Sequence, residues 1–549
     1  MGNGIVSGSI GPDARWLSLG IAHPHQGRVV LTGAAPFPED ARHDPAVVRR
    51  YRAALAADDR PGLGPELGEP VAHALLEAAL PSVRFAGGAE AIAFAPAGRA
   101  GAVLLVRGAS GAALQGRLEL QRAAYTQLTE GGPLRPWRPG AQDAVTSATA
   151  VARDGSGIAL AIAFGPDAVA AASEAQALAG SAAALLAKEL LARRTAPWAG
   201  LPWPVRRAVA YALDCAACAV PGATALLADH ELLPLVWTRD AYYVARLLLR
   251  VAPRDPRVRS VVDGFLTWCF ERAERPGGWW PRSALASGQA KDLAFQLDQQ
   301  LYPPLLLAEH ARLTGDRTLL DRHRQAAADV LDALGARAVD GLIATSETPA
   351  DDALAEPFHF SSHVLLWRTL RAFGRDAEPL RRRIRERFTR DGRFAYAIGT
   401  DGARHYHDAN DLPTVLAPAW GFCAADDPVW LATVAAAWSE RNEAHVDGPL
   451  GGLGSLHTLH PWPLGDLQRV IVARARGDGT AEAAAWERLD RVSTWDGLLP
   501  EAYDERTGAV ASRHWFAWPV AVRGLPELAR LTPVERLLAG IDDVPGPRA

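Results

Sequence analysis

The fold is decided by Gln299-Gln300-Leu301-Tyr302-Pro303-Pro304-Leu305-Leu306-Leu307-Ala308-Glu309-His310-Ala311-Arg312-Leu313, which stops at Gly315-Asp316 and resumes from Arg317 to Leu334. Apolar residues recur at three- and four-residue steps on both sides of the corner, the period of an amphipathic helix. Gly-Asp between them reads as one helix ending and another beginning. Outward from this hairpin the same language continues over residues 240–251, 258–274, 360–373 and 428–442, broken at Pro-Arg-Asp and Asp-Gly corners. About 345 residues at roughly thirty per helix and corner give about a dozen helices. Six antiparallel pairs closing into a toroid account for that number.

Before residue 180 the pattern changes. Short apolar runs at 15–23, 28–32, 102–107, 117–121 and 158–164 are separated by Gly, Pro and Asp, which argues for a sandwich of short strands. Residues 36–93 are less regular and predict a partly helical excursion from the sheet. An Ala/Leu-rich helix over 181–194 leads into Pro197-Trp198 and Pro202-Trp203-Pro204, a stiff crossing. The expected fold is an α+β multidomain chain: an N-terminal β-sandwich over 1–180, a linker helix over 181–202 and an (α/α)6 toroid over 203–549.

An apolar fraction of 49% over 549 residues supports large cores, and 58 Lys and Arg against 62 Asp and Glu leave a formal charge of -4. No cationic excess is present to neutralise a nucleic-acid backbone or an anionic membrane. Neither is an expected partner. No run reaches the length of a membrane span. Met1-Gly2-Asn3-Gly4-Ile5-Val6-Ser7 lacks the basic and apolar regions of a secretory signal, so a cytoplasmic protein is expected. The pair Cys215-Ala-Ala-Cys218 lies in an Ala-rich run without a second pair, and reads as a packed helix face.

Five places carry more polar and aromatic residues than a corner needs. Trp237-Thr238-Arg239-Asp240 opens a strongly apolar helix; Asp240 fits a cap, while Arg239 and Trp237 add a guanidinium fork and a stacking plate for a sugar. Phe295-Gln296-Leu297-Asp298-Gln299 places amides around an acid at another helix start, a cap or a sugar contact. In Glu347-Thr348-Pro349-Ala350-Asp351-Asp352 the two adjacent carboxylates raise the proton affinity of one, as a general acid requires. His405-Tyr406-His407-Asp408-Ala409-Asn410, with Ser455-Leu456-His457 and Trp462, reads as a hydrogen-bonding floor for a sugar, since no further cluster completes a metal site. Finally, Leu499-Pro500-Glu501 stands ahead of Ser512-Arg513-His514-Trp515-Phe516-Ala517-Trp518, an acid beside an aromatic wall.

These motifs and their order resemble the metal-independent exo-α-mannosidases of glycoside hydrolase family 125. Ser512 to Trp518 resembles that family's Thr/Ser-Arg-x-Trp-Phe-Ala-Trp segment, Pro349-Ala350-Asp351-Asp352-Ala353 its Pro-Ser-Asp-Asp-Ala, and Gly452-Leu453-Gly454-Ser455 its Gly-Ile-Gly-Ser. Asp408-Ala409-Asn410-Asp411-Leu412-Pro413 is similar to its Asp-Ala-Asn-x-Pro with one inserted residue, and Trp237-Thr238-Arg239-Asp240 to its Trp-x-Arg-Asp. The resemblance covers roughly residues 230 to 525.

It implies an inverting, exo-acting α-glycoside hydrolase of α-mannosidase type in the six-hairpin group, using no metal and no cofactor. Asp351, with Asp352 as its neighbour and alternative, would be the acid, and Glu501 the base that activates water. Trp237, Arg239, Asp240, Gln296, Asp298, His407, Asp408, Asn410, His457, Arg513 and Trp515 would hold a carbohydrate or small glycoside. Alternatives are an α-glucosidase or glucoamylase-like hydrolase, a related phosphorylase, and a non-catalytic carbohydrate-binding protein. Glu501 argues against the phosphorylase, in which phosphate replaces the base. The oligomeric state is not legible.

Overall fold

A computed structural model describes residues 1–23, 27–34, 46, 47, 50, 54, 61–121, 145–400 and 402–529. They form two compact units: Met1–Val236 with Val251–Glu274 and Ser283–Asp292, and Trp237–Arg250 with Arg275–Arg282 and the chain from Leu293 onward.

In the first unit, β1 (Val6–Ile10), β2 (Trp16–His23), β3 (Gly27–Thr32) and β8 (Glu119–Gln121) form an antiparallel sheet in that order. A six-stranded antiparallel sheet is built from β4 (Pro70–Leu76), β5 (Leu80–Phe85), β6 (Glu90–Phe94), β7 (Gly101–Arg107), β9 (Thr146–Arg153) and β10 (Gly157–Gly165). Its order is β9-β10-β7-β6-β5-β4. Trp16, Leu19 and Leu31 of the first sheet share one buried cluster with Val83, Leu104, Val106 and Leu160 of the second. Alternation sets the faces of β10. Ile158, Leu160, Ile162 and Phe164 enter that cluster, while the strand's other face packs under helix α1 (Ala168–Gly180).

Residues 70–94 correct the sequence reading, which predicted an excursion there; the rest of that segment, 36–60, lies almost wholly outside the described residues. The β4–β5 hairpin turns through Glu77 and Ala78, both at positive φ (49° and 59°). A tight hairpin ordinarily advertises itself with Asn-Gly or Asp-Gly, and this one does not.

Helix α2 (Ala182–Arg194) occupies the predicted linker, and α3 (Trp203–Tyr211) follows. The Cys pair is a second correction. The helical run ends at Ala216, and Cys218 sits in the strand Ala217–Val220 paired with Ala223–Leu226. All four cysteines are buried and free, and burial raises the Cys218 thiol pKa. No single helix among the described residues is long and apolar enough to cross a membrane.

The second unit is a ring of helices. Among the described residues six lie innermost: α4 (Thr238–Val251), α6 (Leu297–Thr314), α8 (Phe360–Ala372), α10 (Leu412–Leu416), α12 (Pro463–Ala475) and α14 (Ala517–Ala529). In chain order α6 packs on α8, α8 on α10, α10 on α12 and α12 on α14. Tyr243 of α4 closes the circle. Its ring stacks on Trp518 of α14 at 5.6 Å and meets Tyr302 of α6 edge-on at 5.8 Å.

Between them in sequence run α7 (Thr318–Ala336), α9 (Glu378–Phe388), α11 (Pro428–Ala437) and α13 (Gly479–Val492), with α5 (Pro256–Thr267) in the other unit. The difference in position is written in their burial. Helix α6 is buried from Leu297 through Leu307, whereas α7 buries only Leu320, His323, Ala327, Val330, Leu331 and Leu334, one face at helical spacing. Gly315 ends α6 in the left-handed conformation (φ 73°), and Asp316 Oδ1 accepts the Thr318 N–H to start α7. Helix α11 stops at Ala437, short of the predicted 442, because the Asn442 side chain donates to the Ala437 carbonyl and caps it.

Candidate active site

The site is assembled from the loops that enter and leave the inner helices. At the head of α4, Thr238 Oγ1 donates to the Gln299 carbonyl at 2.8 Å and also to its side-chain Oε1, which accepts the Arg239 N–H at 3.1 Å. This pins the start of α4 to α6 and directs Arg239 inward. Its guanidinium is buried, donating to Gln296 Oε1 (3.1 Å), Asp298 Oδ2 (3.2 Å) and Asp351 Oδ1 (3.3 Å), with Asp240 Oδ2 at 3.4 Å and the Trp518 ring at 5.2 Å.

One cation thus serves three carboxylates. Burial works against the Arg239 charge, but Asp298, Asp240 and Asp351 outweigh it and raise the pKa. Burial also pushes Asp240 up to about 7, and Arg239 pulls the other way. Asp298 is raised by burial in the same manner. Asp240 Oδ2 and Asp298 Oδ1 are buried and have no hydrogen-bond partner among the described residues. Asp240 also lines the cavity.

Asp351 sits at positive φ (64°), a conformation Asp tolerates better than most residues. Thr348 builds the turn around it. Its carbonyl accepts the Asp351 N–H at 3.0 Å, and its Oγ1 accepts from Ala350 and Asp352 N–H. Gln296 Nε2 donates to Asp351 Oδ1 at 2.7 Å, and the Trp237 indole N–H to Oδ2 at 3.1 Å. Gln296 is itself held against Glu347 (3.1 Å), which Arg282 grips at 3.0 Å.

Glu501 begins a short hairpin of β11 (Ala502–Tyr503) and β12 (Val510–Ser512). Its N–H donates to the Ser512 and Arg513 carbonyls, Ser512 Oγ donates to its Oε2 at 2.6 Å, and Arg513 Nη1 lies 3.7 Å from Oε1. The side chain is 10% exposed. Arg513 is another non-glycine residue at positive φ (47°), and its guanidinium lies over Phe516 at 4.6 Å.

The remaining wall comes from two loops. Asp408 Oδ1 accepts from Asn410 Nδ2 (2.7 Å), and its Oδ2 from the Tyr406 hydroxyl (2.7 Å). Burial and the neighbouring Asp411 push Asp408 up. Burial alone would raise Asp411 as well, but hydrogen bonds and charge from His359 pull it down. Gln468 on α12 donates to the Asp408 and Ala409 carbonyls and meets His407 Nε2 at 2.7 Å. His457 presents its ring edge-on to Trp462 at 5.4 Å.

Trp237, Arg239, Asp240, Asp351, Asn410, His457, Glu501 and Arg513 line one open pocket of about 310 Å³, with Pro349, Ala350, Trp462, Phe516 and Trp518. The other candidates stand behind or beside it. Gln296 and Asp298 support Arg239 and Asp351. Asp408 orients Asn410, and His407 lines a separate cleft with Arg393 and Arg441. The Trp515 indole donates to Asp496 at 3.2 Å, and Asp352 turns toward His457. His405, His407 and Asp408 do not converge on a common point: His405 pairs with Asp391 and His407 with Gln468.

A different trio, His460, Asp504 and Glu505, does bring potential metal ligands together. None of the three lines the pocket. Sequence reading passed over Gln468, Asp496 and Arg282, and took Gln299 only as part of an amide run. Gln299 had a signal in the amide run at the head of α6; the others carry no local one.

Among the described residues, a ring of helices gathers acids, an arginine and indoles from its connecting loops around one pocket. Residues 322–524 match the family model described as metal-independent alpha-mannosidase (GH125). A Streptococcus pneumoniae structure from the metal-independent alpha-mannosidases, a non-productive complex with alpha-1,6-mannobiose, is 19% identical. It covers 63% of this chain and 95% of that one, with a TM-score of 0.52. A bacterial glucoamylase complexed with acarbose is 12% identical and covers 98% and 94%, with a TM-score of 0.61. Identities this low establish the shared fold. Compared with curated proteins by sequence, the chain matches none.

Proposed function

We propose that the protein hydrolyses the terminal α-glycosidic bond of a carbohydrate or small glycoside with inversion, acting on an α-mannoside in preference to an α-glucoside. The observation that carries this reading is that Asp351 and Glu501 both reach the wall of the pocket that Arg239 and Asp240 floor. In an inverting hydrolase one carboxylic acid protonates the leaving oxygen while a carboxylate activates water on the opposite face of the ring.

Asp351 takes the acid role. Its Oδ1 is occupied by Gln296 and Arg239, and Oδ2, with the Trp237 indole as its donor, is the oxygen with a lone pair left to carry a proton. Glu501 takes the base role, held by Ser512 and Arg513. The anomeric C–O bond breaks, the Asp351 proton passes to the leaving oxygen, water bonds to the anomeric carbon, and Glu501 takes the water's proton. The two carboxyl groups then exchange protons with solvent to reset.

Arg239, Asp240, Asn410 and His457 would hold the hydroxyls of the non-reducing sugar, with Trp237, Trp462 and Trp518 as apolar faces. Charge-assisted hydrogen bonds in a buried setting make such a subsite selective. The α-mannoside preference draws on the family match across residues 322–524. The architecture extends the reading. We read the two sheets of the first unit as a β-sandwich domain and the ring of helices in the second as the catalytic (α/α)6 toroid.

A panel of nitrophenyl and disaccharide α-mannosides and α-glucosides tests the proposal. Turnover of an α-mannoside that is independent of phosphate is expected. Phosphate-dependent turnover would instead mark a phosphorylase, and saturable binding without turnover across the panel would mark a carbohydrate-binding protein.

A further inference from the structure

The two adjacent carboxylates of the Pro349-Ala350-Asp351-Asp352 loop part company. Positive φ at Asp351 sends that side chain into the pocket, while Asp352 Oδ2 lies 3.5 Å from His457 Nδ1. His457 Nδ1 also meets Ser455 Oγ at 3.1 Å. Both neighbours can accept a hydrogen bond, which favours a proton on Nδ1 and leaves Nε2 as the ring's second donor.

Resting on the glycosidase reading above, we propose that Asp352 is a positioning residue that fixes the His457 ring, and its positive charge, at the pocket wall within electrostatic range of the base Glu501. The charges that raise His457 are Asp352 from the acid loop, Glu501 from the β11–β12 hairpin and Asp408 from the loop before α10, while Arg239, Asp240, Asp351 and Arg513 line the same pocket. Ser455 from its own loop and the edge of Trp462 complete its surroundings.

Burial opposes the charge, but the hydrogen bond to Asp352 and the charges of Glu501, Asp352 and Asp408 prevail and lift His457 to about 8. The imidazolium form is then present at neutral pH, where it favours the carboxylate form of Glu501 and offers an N–H to a substrate oxygen. As pH rises through that value the charge is lost, and with it the setting of the base.

The test follows His457 directly. In the wild-type protein its proton NMR titration midpoint is expected near 8, and a midpoint at or below the ordinary 6.5 would overturn the proposal. Asp352→Asn is expected to move that midpoint down by about one unit, which corresponds to about a tenfold weaker hold on the proton. In the same variant the alkaline limb of kcat should shift to lower pH by the same amount, and Asp352→Glu should restore part of the shift.

An unchanged His457 midpoint in Asp352→Asn refutes the pairing. Loss of turnover at every pH in Asp352→Asn would make Asp352 the acid and overturn its positioning role. Because the NMR titration needs no substrate, it stands even where the glycosidase reading fails.

Discussion

Replacing Asp240 with Asn tests how the site stores its charge. The side chain is buried beside Arg239, and burial raises its pKa from 3.8 to about 7. The unfolded chain releases this proton near pH 4 while the folded chain keeps it to about pH 7. The stabilising contribution of the group is therefore complete below about pH 4 and lost as pH rises to about 7. A rise of about three units at about 1.4 kcal/mol per unit sets that loss on the order of 4 kcal/mol.

Asn keeps the shape and cannot ionise, and Arg239 still has Asp298 at 3.2 Å and Asp351 at 3.3 Å. Urea unfolding of both proteins between pH 4 and 8 reads the effect. The wild type should lose stability across this window relative to Asp240→Asn, which should be the more stable by about 2–4 kcal/mol at pH 8. Hydrolysis should move the opposite way, down about 10- to 100-fold, as expected when one charge-assisted hydrogen bond to substrate goes. Parallel stability curves, or a variant less stable at pH 8, would refute the reasoning.

Three further outcomes are expected. Glu501→Gln should retain the fold, since Ser512 still finds an acceptor oxygen, and should lose about a hundredfold to ten-thousandfold in turnover, as removal of a general base typically does; circular dichroism and initial rates check both. Trp515→Phe removes a donor to Asp496 and should lower stability by about 1 kcal/mol, as loss of one hydrogen bond to a buried carboxylate does; thermal unfolding reads this. Prolonged chelation should leave turnover unchanged, because His460, Asp504 and Glu505 lie off the pocket wall; a loss reversed by one added divalent ion would contradict this.

What the sequence made legible followed from whether the signal was local. The α6–α7 hairpin was readable because apolar spacing and Gly315 sit within the segment they organise. The β4–β5 hairpin was not, because Glu77 and Ala78 take positive φ without the residues that usually announce it. Arg239, Asp240, Asp351 and Glu501, singled out by their motifs, do line one pocket. Which of the motif acids face the cavity was not legible, since Asp351 and Asp352 are neighbours that diverge on one φ angle. Support across the ring, such as Gln468 holding the Asp408 and Ala409 carbonyls from α12, depends on contacts about sixty residues apart that no local pattern encodes.

The stereochemistry of the first product tests the central claim most directly. Proton NMR of an α-mannoside during its first turnovers should show the β-anomer appearing ahead of mutarotation, as direct attack by water poised at Glu501 requires. An α-anomer formed first would contradict the account.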